Sequence, residues 1–150
     1  MLELLLTVGM TVGSILLLGY WFRYTCLLIL NTKTVRDYTA TVASANQLGF
    51  LEVQTRLREC ATANLDQLHT ALDRDYERIV ALLQKMPASQ GQVSIETSML
   101  RMNYRCMAAW SRLSRRLSVR LSCHALDEMS QVVAHFANVM GELAVSSAAC

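Results

Sequence analysis

Histidine, cysteine and carboxylate side chains are the groups in this 150-residue chain that could bind a metal ion or transfer a proton. His124 and His135 share a helical face, but eleven residues separate them by about 16 Å, too far for one metal ion. Cys123 adjoins His124, yet neighbours on a helix point about 100° apart, so this pair cannot ligate one ion on an unbroken helix. His69 stands alone. We therefore predict no metal site and no histidine acid–base pair.

Sequence motifs for catalysis are absent as well. The chain has no Walker A, GxGxxG, HExxH or GxSxG pattern, and its carboxylates are spaced along helical stripes rather than paired. The five cysteines are odd in number and form no CxxC pair, which favours reduced thiols over a disulfide framework. These features predict a protein that is not an enzyme, with no catalytic residue and no cofactor.

The elements that could position a function begin with an apolar N-terminal segment. Residues 2–22 carry one charge, Glu3, and as a helix they would extend about 31 Å, the thickness of a bilayer core. Aromatic residues and one arginine follow, as at a membrane interface: Tyr20, Trp21, Arg23 and Tyr24. We predict an uncleaved transmembrane anchor over residues 1–30, because the first 22 residues contain no Lys or Arg and the apolar run is too long for a signal peptide.

Flanking charges predict the orientation of this anchor. Arg23, Lys33 and Arg36 follow the apolar run, whereas only the α-amine and Glu3 precede it. The positive-inside tendency therefore places the remainder of the chain in the cytoplasm, as a single-pass membrane protein.

Two features of the anchor predict contact with other subunits. Gly9 and Gly13 form a GxxxG pattern, which lets a second helix backbone approach closely. Beyond the aromatic residues the chain is again apolar, and Leu27 and Leu30 would be exposed to water without a cover. A longer, tilted span is the alternative, and it would draw Arg23 into the hydrocarbon.

Residues 31–150 predict a long antiparallel helical hairpin. Apolar residues recur at helical spacing over about 34–86 and about 94–147, and Pro87 and Gly91 mark a turn over 87–93. A softer stretch over 43–49 is a candidate break in the first helix. The predicted fold is thus all-α, with one transmembrane helix and a coiled-coil-like hairpin that a partner or a dimer completes, because a lone hairpin buries too little surface.

Charged stripes predict the register of that hairpin. Carboxylates repeat every seven residues on the first helix, and arginines share one face of the second. Glu77 continues this acidic stripe, and folding the chain near Ser89 pairs it and three of the heptad-spaced carboxylates with four arginines. The predicted pairs are Glu59 with Arg120, Asp66 with Arg112, Asp73 with Arg105, and Glu77 with Arg101. Exposed pairs contribute at most about 1 kcal/mol each, so they set register more than stability.

The second helix carries two further surfaces. Small residues, including Ser111, Ser118 and Ser122, form a stripe suited to close contact with another chain, with a solvated face as the alternative. Residues 97–123 contain six arginines and no acidic residue, which would suit anionic lipid, nucleic acid or an acidic partner. Neutralisation by the acidic stripe is the simpler interpretation, and nucleic acid is the least favoured partner because few aromatic residues are available for stacking.

Together these features favour a non-catalytic accessory or scaffold subunit of a larger membrane protein complex. Its expected partners are other membrane-protein subunits or a second copy of itself, with the bilayer around the anchor. The alternatives are a homodimeric signalling or tethering module, and a binder of anionic lipid or nucleic acid through the Arg-rich helix 101–120.

Overall fold

The computed structural model describes residues 1–31, 37–59, 64–85 and 95–148. The described part is all-helical and contains no strand, which confirms the all-α part of the predicted fold. Six helices follow one another along the chain: α1 (Leu2–Leu30), α2 (Thr39–Asn46), α3 (Phe50–Arg58), α4 (Leu65–Lys85), α5 (Ile95–Ser114) and α6 (Val119–Ala148). The chain divides into two compact units, Met1–Thr32 and Lys33–Cys150.

Helix α1 constitutes the first unit. It has 29 residues, and it is long and apolar enough to cross a membrane. No part of its most apolar window is buried within the protein. The residues predicted to form the anchor therefore make up one continuous helix, which is a candidate membrane span.

The second unit is organised around α6, which packs against α2, α3, α4 and α5. Its buried apolar side chains recur every three or four residues, so α6 presents apolar surface to several neighbours at once. They include Ala125, Leu126, Met129, Val132, Val133, Phe136, Ala137 and Met140. Leu72, Ile79 and Leu83 of α4 and Leu100 of α5 are buried with them.

Both helices predicted for the hairpin are divided in the structure. The first breaks at residues 47–49, within the soft stretch, where Gln47 adopts a left-handed conformation with φ 52°. The amide of Leu48 donates to the Ala43 carbonyl, which closes the end of α2. The second breaks at 115–118, which separates α5 from α6 and lets the two pack together. The predicted turn over 87–93 lies outside the described residues.

A buried carboxylate from α4 caps the start of α3. Asp75 Oδ2 accepts a hydrogen bond of 2.7 Å from the amide of Gly49, and the amide of Phe50 also interacts with this carboxylate. Burial raises the pKa of Asp75 above its ordinary value, and the two amides and nearby arginines oppose that effect. This cap fixes the direction in which α3 leaves the break after α2.

A close contact joins the start of α2 to α6. The amide of Tyr38 donates to Oδ1 of Asn138 over 2.8 Å, and Gly141 leaves room for the Tyr38 side chain. A Cβ atom at position 141 would lie only 2.3 Å from the Cβ of Tyr38. Gly141 is therefore required by the packing of α2 on α6.

Candidate interaction surfaces

Helix α1 presents a surface that suits a bilayer. Its large apolar side chains are exposed along most of its length. The hydroxyls of Thr7, Thr11, Ser14 and Thr25 each donate to the carbonyl four residues earlier, over 2.8–2.9 Å. Such bonds satisfy polar groups within the helix, as a lipid environment requires.

The glycines of α1 and the predicted interface residues lie along the same helix. A Cβ atom at Gly9 or Gly13 would have no neighbour within 4 Å, so this side of α1 is open. Tyr20 and Tyr24 stack on each other with ring centroids 6.4 Å apart, and both are exposed. Trp21 is also exposed, and Arg23 is half-buried. Of the apolar residues beyond them, Leu27 is exposed and Leu30 is half-buried.

None of the four predicted charge pairs forms among the described residues, and two of the carboxylates pair with other arginines. Asp73 lies 3.3 Å from Arg112 instead of Arg105, and Asp66 pairs with Arg115 instead of Arg112. A groove of about 540 Å³ lies between α4 and α5, with Asp73 and Glu77 on one side and Arg101 and Arg105 on the other. No carboxylate of the described residues forms an ion pair with Arg101 or Arg105. Nor do the described residues show an ion pair between Glu59, the residue that follows α3, and Arg120. The break at 115–118 explains the last difference, because Arg120 belongs to α6 rather than to α5.

Asp73 is the centre of a polar cluster that the sequence analysis did not predict. Its carboxylate accepts a hydrogen bond of 2.9 Å from the Tyr104 hydroxyl and lies 3.1 Å from His69 Nδ1. His69 Nε2 lies 3.4 Å from the carbonyl oxygen of Ala108. Tyr104 stacks on Tyr76 with ring centroids 3.8 Å apart. Burial, and then the Asp73 carboxylate, raise the pKa of Tyr104 above its ordinary value, so its hydroxyl stays protonated as a donor.

This cluster joins α4 to α5. The two helices are antiparallel at this cluster, because His69 contacts Ala108 whereas Tyr76, later in α4, contacts Tyr104, earlier in α5. The i, i+4 spacing of His69 and Asp73 was the sequence signal for part of it. Because His69 and Tyr104 are buried, the cluster serves to hold the two helices together.

The serines predicted to contact a partner are used within the chain. Ser111 and Ser122 are fully buried, and the Ser122 hydroxyl donates to the Ser111 carbonyl over 3.3 Å. Ser118 is half-buried and immediately precedes α6. Small side chains allow α5 and α6 to approach closely at their junction, so Ser111 and Ser122 are not available to another chain.

The exposed side of α5 is instead apolar. In the second unit, nine large hydrophobic side chains of the described residues are exposed, and seven of them lie between residues 95 and 121. We call these seven the exposed apolar stripe: Ile95, Met102, Trp110, Leu113, Leu117, Val119 and Leu121. Their exposed fractions range from 44% to 79%, so the described chain leaves a large part of each side chain uncovered.

The remaining titratable residues form no metal centre in the described part of the chain. Cys123, His124 and Asp127 line an open depression, and His135 is half-buried with its pKa lowered by burial. Comparison with protein families, curated proteins and solved structures finds no match for this chain.

Proposed function

We propose that this protein is a non-catalytic, single-pass membrane protein that acts as an accessory or scaffold subunit of a larger membrane protein complex. The observation that supports this function best is the open surface of α1. Its apolar side chains are exposed, and Gly9 and Gly13 leave a notch with no neighbour. Lipid can cover the side chains, but a glycine notch gives its advantage only when another backbone packs into it.

The chemistry of α1 favours packing over polar attraction in such a contact. The hydroxyls of Thr7, Thr11 and Ser14 donate within the helix and need no partner. Gly9 and Gly13 are four residues apart and therefore lie on one face, within about 40° of each other. A neighbouring span would contact α1 mainly through backbone and small side chains on this face.

The membrane-proximal end of α1 extends the same surface. Leu27 and Leu28 are exposed beyond the aromatic residues, where lipid or an adjoining subunit would cover them. We place the helical body on the cytoplasmic side, since Arg23 follows the apolar run and only Glu3 and the α-amine precede it.

Leucine substitutions in the full-length chain test the role of the glycine notch. Gly9→Leu together with Gly13→Leu should release the protein from its complex, because the new side chains block close helix approach. Gly19→Leu is the matched control, since position 19 faces about 80–120° away from the other two glycines. All three changes replace glycine with a good helix former, so α1 remains helical.

The measurement is the size and composition of the complex, by native electrophoresis and mass spectrometry after mild detergent extraction. Loss of unlike subunits in the double variant, with retention in Gly19→Leu, would support the scaffold function. If the double variant keeps every subunit, the notch is not a contact. A wild-type particle that contains only two copies of this chain would instead support the homodimeric signalling or tethering module.

Nucleic-acid binding by α5 is disfavoured by the placement of its aromatic residues. Tyr104 is buried and stacked on Tyr76, so it is not available to stack on a base. Trp110 is the exposed aromatic residue of α5. The arginine-rich segment is therefore better suited to a partner that needs no base stacking.

A further inference from the structure

Helix α5 and the turn after it combine exposed apolar side chains with exposed arginines. Ile95, Met102 and Leu113 lie within about 20° of one another around the helix axis. Leu117, Val119 and Leu121 continue this exposed apolar stripe beyond the end of α5. An exposed apolar surface of this extent on a folded body indicates an interaction site.

Arginines lie beside the stripe and give it a positive edge. Arg105 lies about 80° around the helix from Leu113, and Arg116 and Arg120 are in or just after the turn. All three are exposed, and no carboxylate of the described residues forms an ion pair with them. Arg112 and Arg115, by contrast, pair with Asp73 and Asp66 of α4. Arg105 faces Asp73 and Glu77 across the groove without an ion pair to either, so the internal acidic stripe neutralises only part of the positive charge.

The charge distribution favours an anionic occupant of this surface. The whole chain has a net charge of +2, yet residues 97–123 contain six arginines and no acidic residue. A second copy of the chain would supply no acidic residue from this segment to meet Arg105, Arg116 and Arg120. Arginine beside exposed Leu, Ile, Met and Trp is the composition of a helix that lies in a membrane interface.

The candidate membrane span supplies a reason for such an interface to form. Helix α1 would anchor the body to a bilayer, so the body would meet lipid headgroups at a high effective concentration. Basic segments close to a membrane are attracted to anionic lipids, while the apolar side chains enter the headgroup–acyl boundary. Trp110 is suited to this depth because its ring is apolar and its indole N–H is a donor.

We propose that the exposed apolar stripe, together with Arg105, Arg116 and Arg120, binds the headgroup region of an anionic membrane surface. The apolar side chains enter the interface, and the three guanidinium groups contact lipid phosphates. This contact is separate from the proposed packing of α1 with other subunits and needs only the chain itself and lipid.

The test uses the fluorescence of Trp110 in the full-length chain. Trp21→Phe removes the second of the two tryptophans, and the protein is reconstituted into vesicles of brominated lipid. One set contains phosphatidylcholine alone, and the other contains equal parts of phosphatidylcholine and phosphatidylglycerol. We expect strong quenching of Trp110 only in the vesicles that contain phosphatidylglycerol, because bromine quenches at the headgroup–acyl boundary only when Trp110 enters it.

Charge-removing variants distinguish a specific surface from general attraction. Arg105→Gln, Arg116→Gln and Arg120→Gln together should weaken partition onto the anionic surface by about tenfold or more. The matched control, Arg56→Gln, Arg58→Gln and Arg74→Gln, removes the same charge from α3 and α4 and should leave the quenching unchanged. Far-UV circular dichroism verifies that both variants keep their helical content.

Three outcomes would overturn the proposal. The first is equal quenching in both kinds of vesicle, and the second is equal loss of quenching in the two triple variants. The third is an unquenched Trp110 with efficient crosslinking between copies through Cys106, which is exposed on α5. That last result would assign the stripe to a second copy of the chain.

Discussion

The contact between Gly141 of α6 and Tyr38 predicts a substitution whose effect can be reversed. In Gly141→Ala the new Cβ would lie 2.3 Å from Tyr38 Cβ and 2.8 Å from its Cγ. Carbon atoms in contact are normally about 3.5–4.0 Å apart. Because Tyr38 Cβ is bonded directly to the backbone, rotation of the side chain cannot relieve the overlap. The start of α2 must therefore move. This movement also strains the hydrogen bond that the Tyr38 amide donates to Asn138 Oδ1.

The expected effect of Gly141→Ala is the balance of three terms. Overpacking of this kind costs about 1–3 kcal/mol. Loss of the hydrogen bond to Asn138 adds about 0.5–1.5 kcal/mol. Alanine is better than glycine in a helix by about 0.5–1 kcal/mol, which offsets part of the cost. We therefore expect a decrease of about 0.5–4 kcal/mol in the free energy of unfolding of the second unit.

Two variants of Tyr38, each combined with Gly141→Ala, isolate the steric overlap between the two Cβ atoms. Tyr38→Gly removes the Cβ atom, so Gly141→Ala should then stabilise the protein by about 0.5–1 kcal/mol. Tyr38→Ala keeps the Cβ atom, so the same substitution should remain destabilising. Gly49→Ala is a control, because its Cβ would meet only Asp75 Oδ2, at 3.8 Å.

The assay is urea unfolding of the full-length chain in detergent micelles, followed by circular dichroism. Hydrogen exchange read by mass spectrometry reports the opening of α2 separately. The reasoning fails if Gly141→Ala is neutral beside Tyr38, or if Tyr38→Ala rescues it as well as Tyr38→Gly does.

Two further substitutions test local features of the same unit. Gln47→Gly should stabilise the protein by about 0.5–1 kcal/mol, because glycine adopts a left-handed backbone without strain, whereas Gln47→Ala should give no such gain; equal urea midpoints for the two variants would contradict this. Asp75→Asn tests the raised pKa of Asp75. Because the pKa of Asp75 is higher in the folded than in the unfolded protein, protonation of Asp75 stabilises the fold. This stabilisation is complete below the pKa of Asp75 in the unfolded chain, and it is lost as the pH rises through the pKa in the folded protein. The unfolding free energy of the wild type relative to Asp75→Asn should therefore fall as the pH rises from about 4, the ordinary pKa of Asp, and a rise would show that the amides of Gly49 and Phe50 dominate instead.

The sequence predicted α1 well because a bilayer span depends on one-dimensional properties. Length, apolar composition and a single early charge determine whether a helix can cross a membrane. The all-α class was equally accessible, since residues 34–86 contain no proline and their apolar residues have helical spacing.

The break between α5 and α6 was harder to predict than the one at 47–49, because no proline or glycine occurs at 115–118. The hydroxyls of Ser111 and Ser114 donate to carbonyls three residues earlier, in competition with the helical pattern. The gain that stabilises this break is tertiary, since it allows α6 to fold back along α5. A local serine pattern is compatible with both a continuous and a broken helix, so the sequence alone did not decide between them.

The antiparallel register predicted which parts of α4 and α5 lie close together, but it did not predict the partners of the individual ion pairs. Antiparallel contact between α4 and α5 brings Asp73 to Tyr104 and Arg112, close to the predicted neighbourhood. The exact partner could not be predicted, because the observed arginines lie about two turns (Arg112 for Arg105) and one turn (Arg115 for Arg112) from the predicted ones on the same helix. Surface ion pairs are weak, so they do not select one partner among neighbours on the same face.

The inside and outside faces of α5 were the decisive point that pattern analysis missed. The helix has a face of small residues and a face of large apolar residues, and hydrophobicity alone favours burial of the large one. In the structure Ser111 and Ser114 are buried against α6, while Leu113 and Trp110 remain exposed. Close approach to the central helix requires small side chains, which accounts for their burial. The large side chains are therefore left outside for a reason of packing, and their exposure beside Arg105 is the observation on which the proposed membrane contact rests.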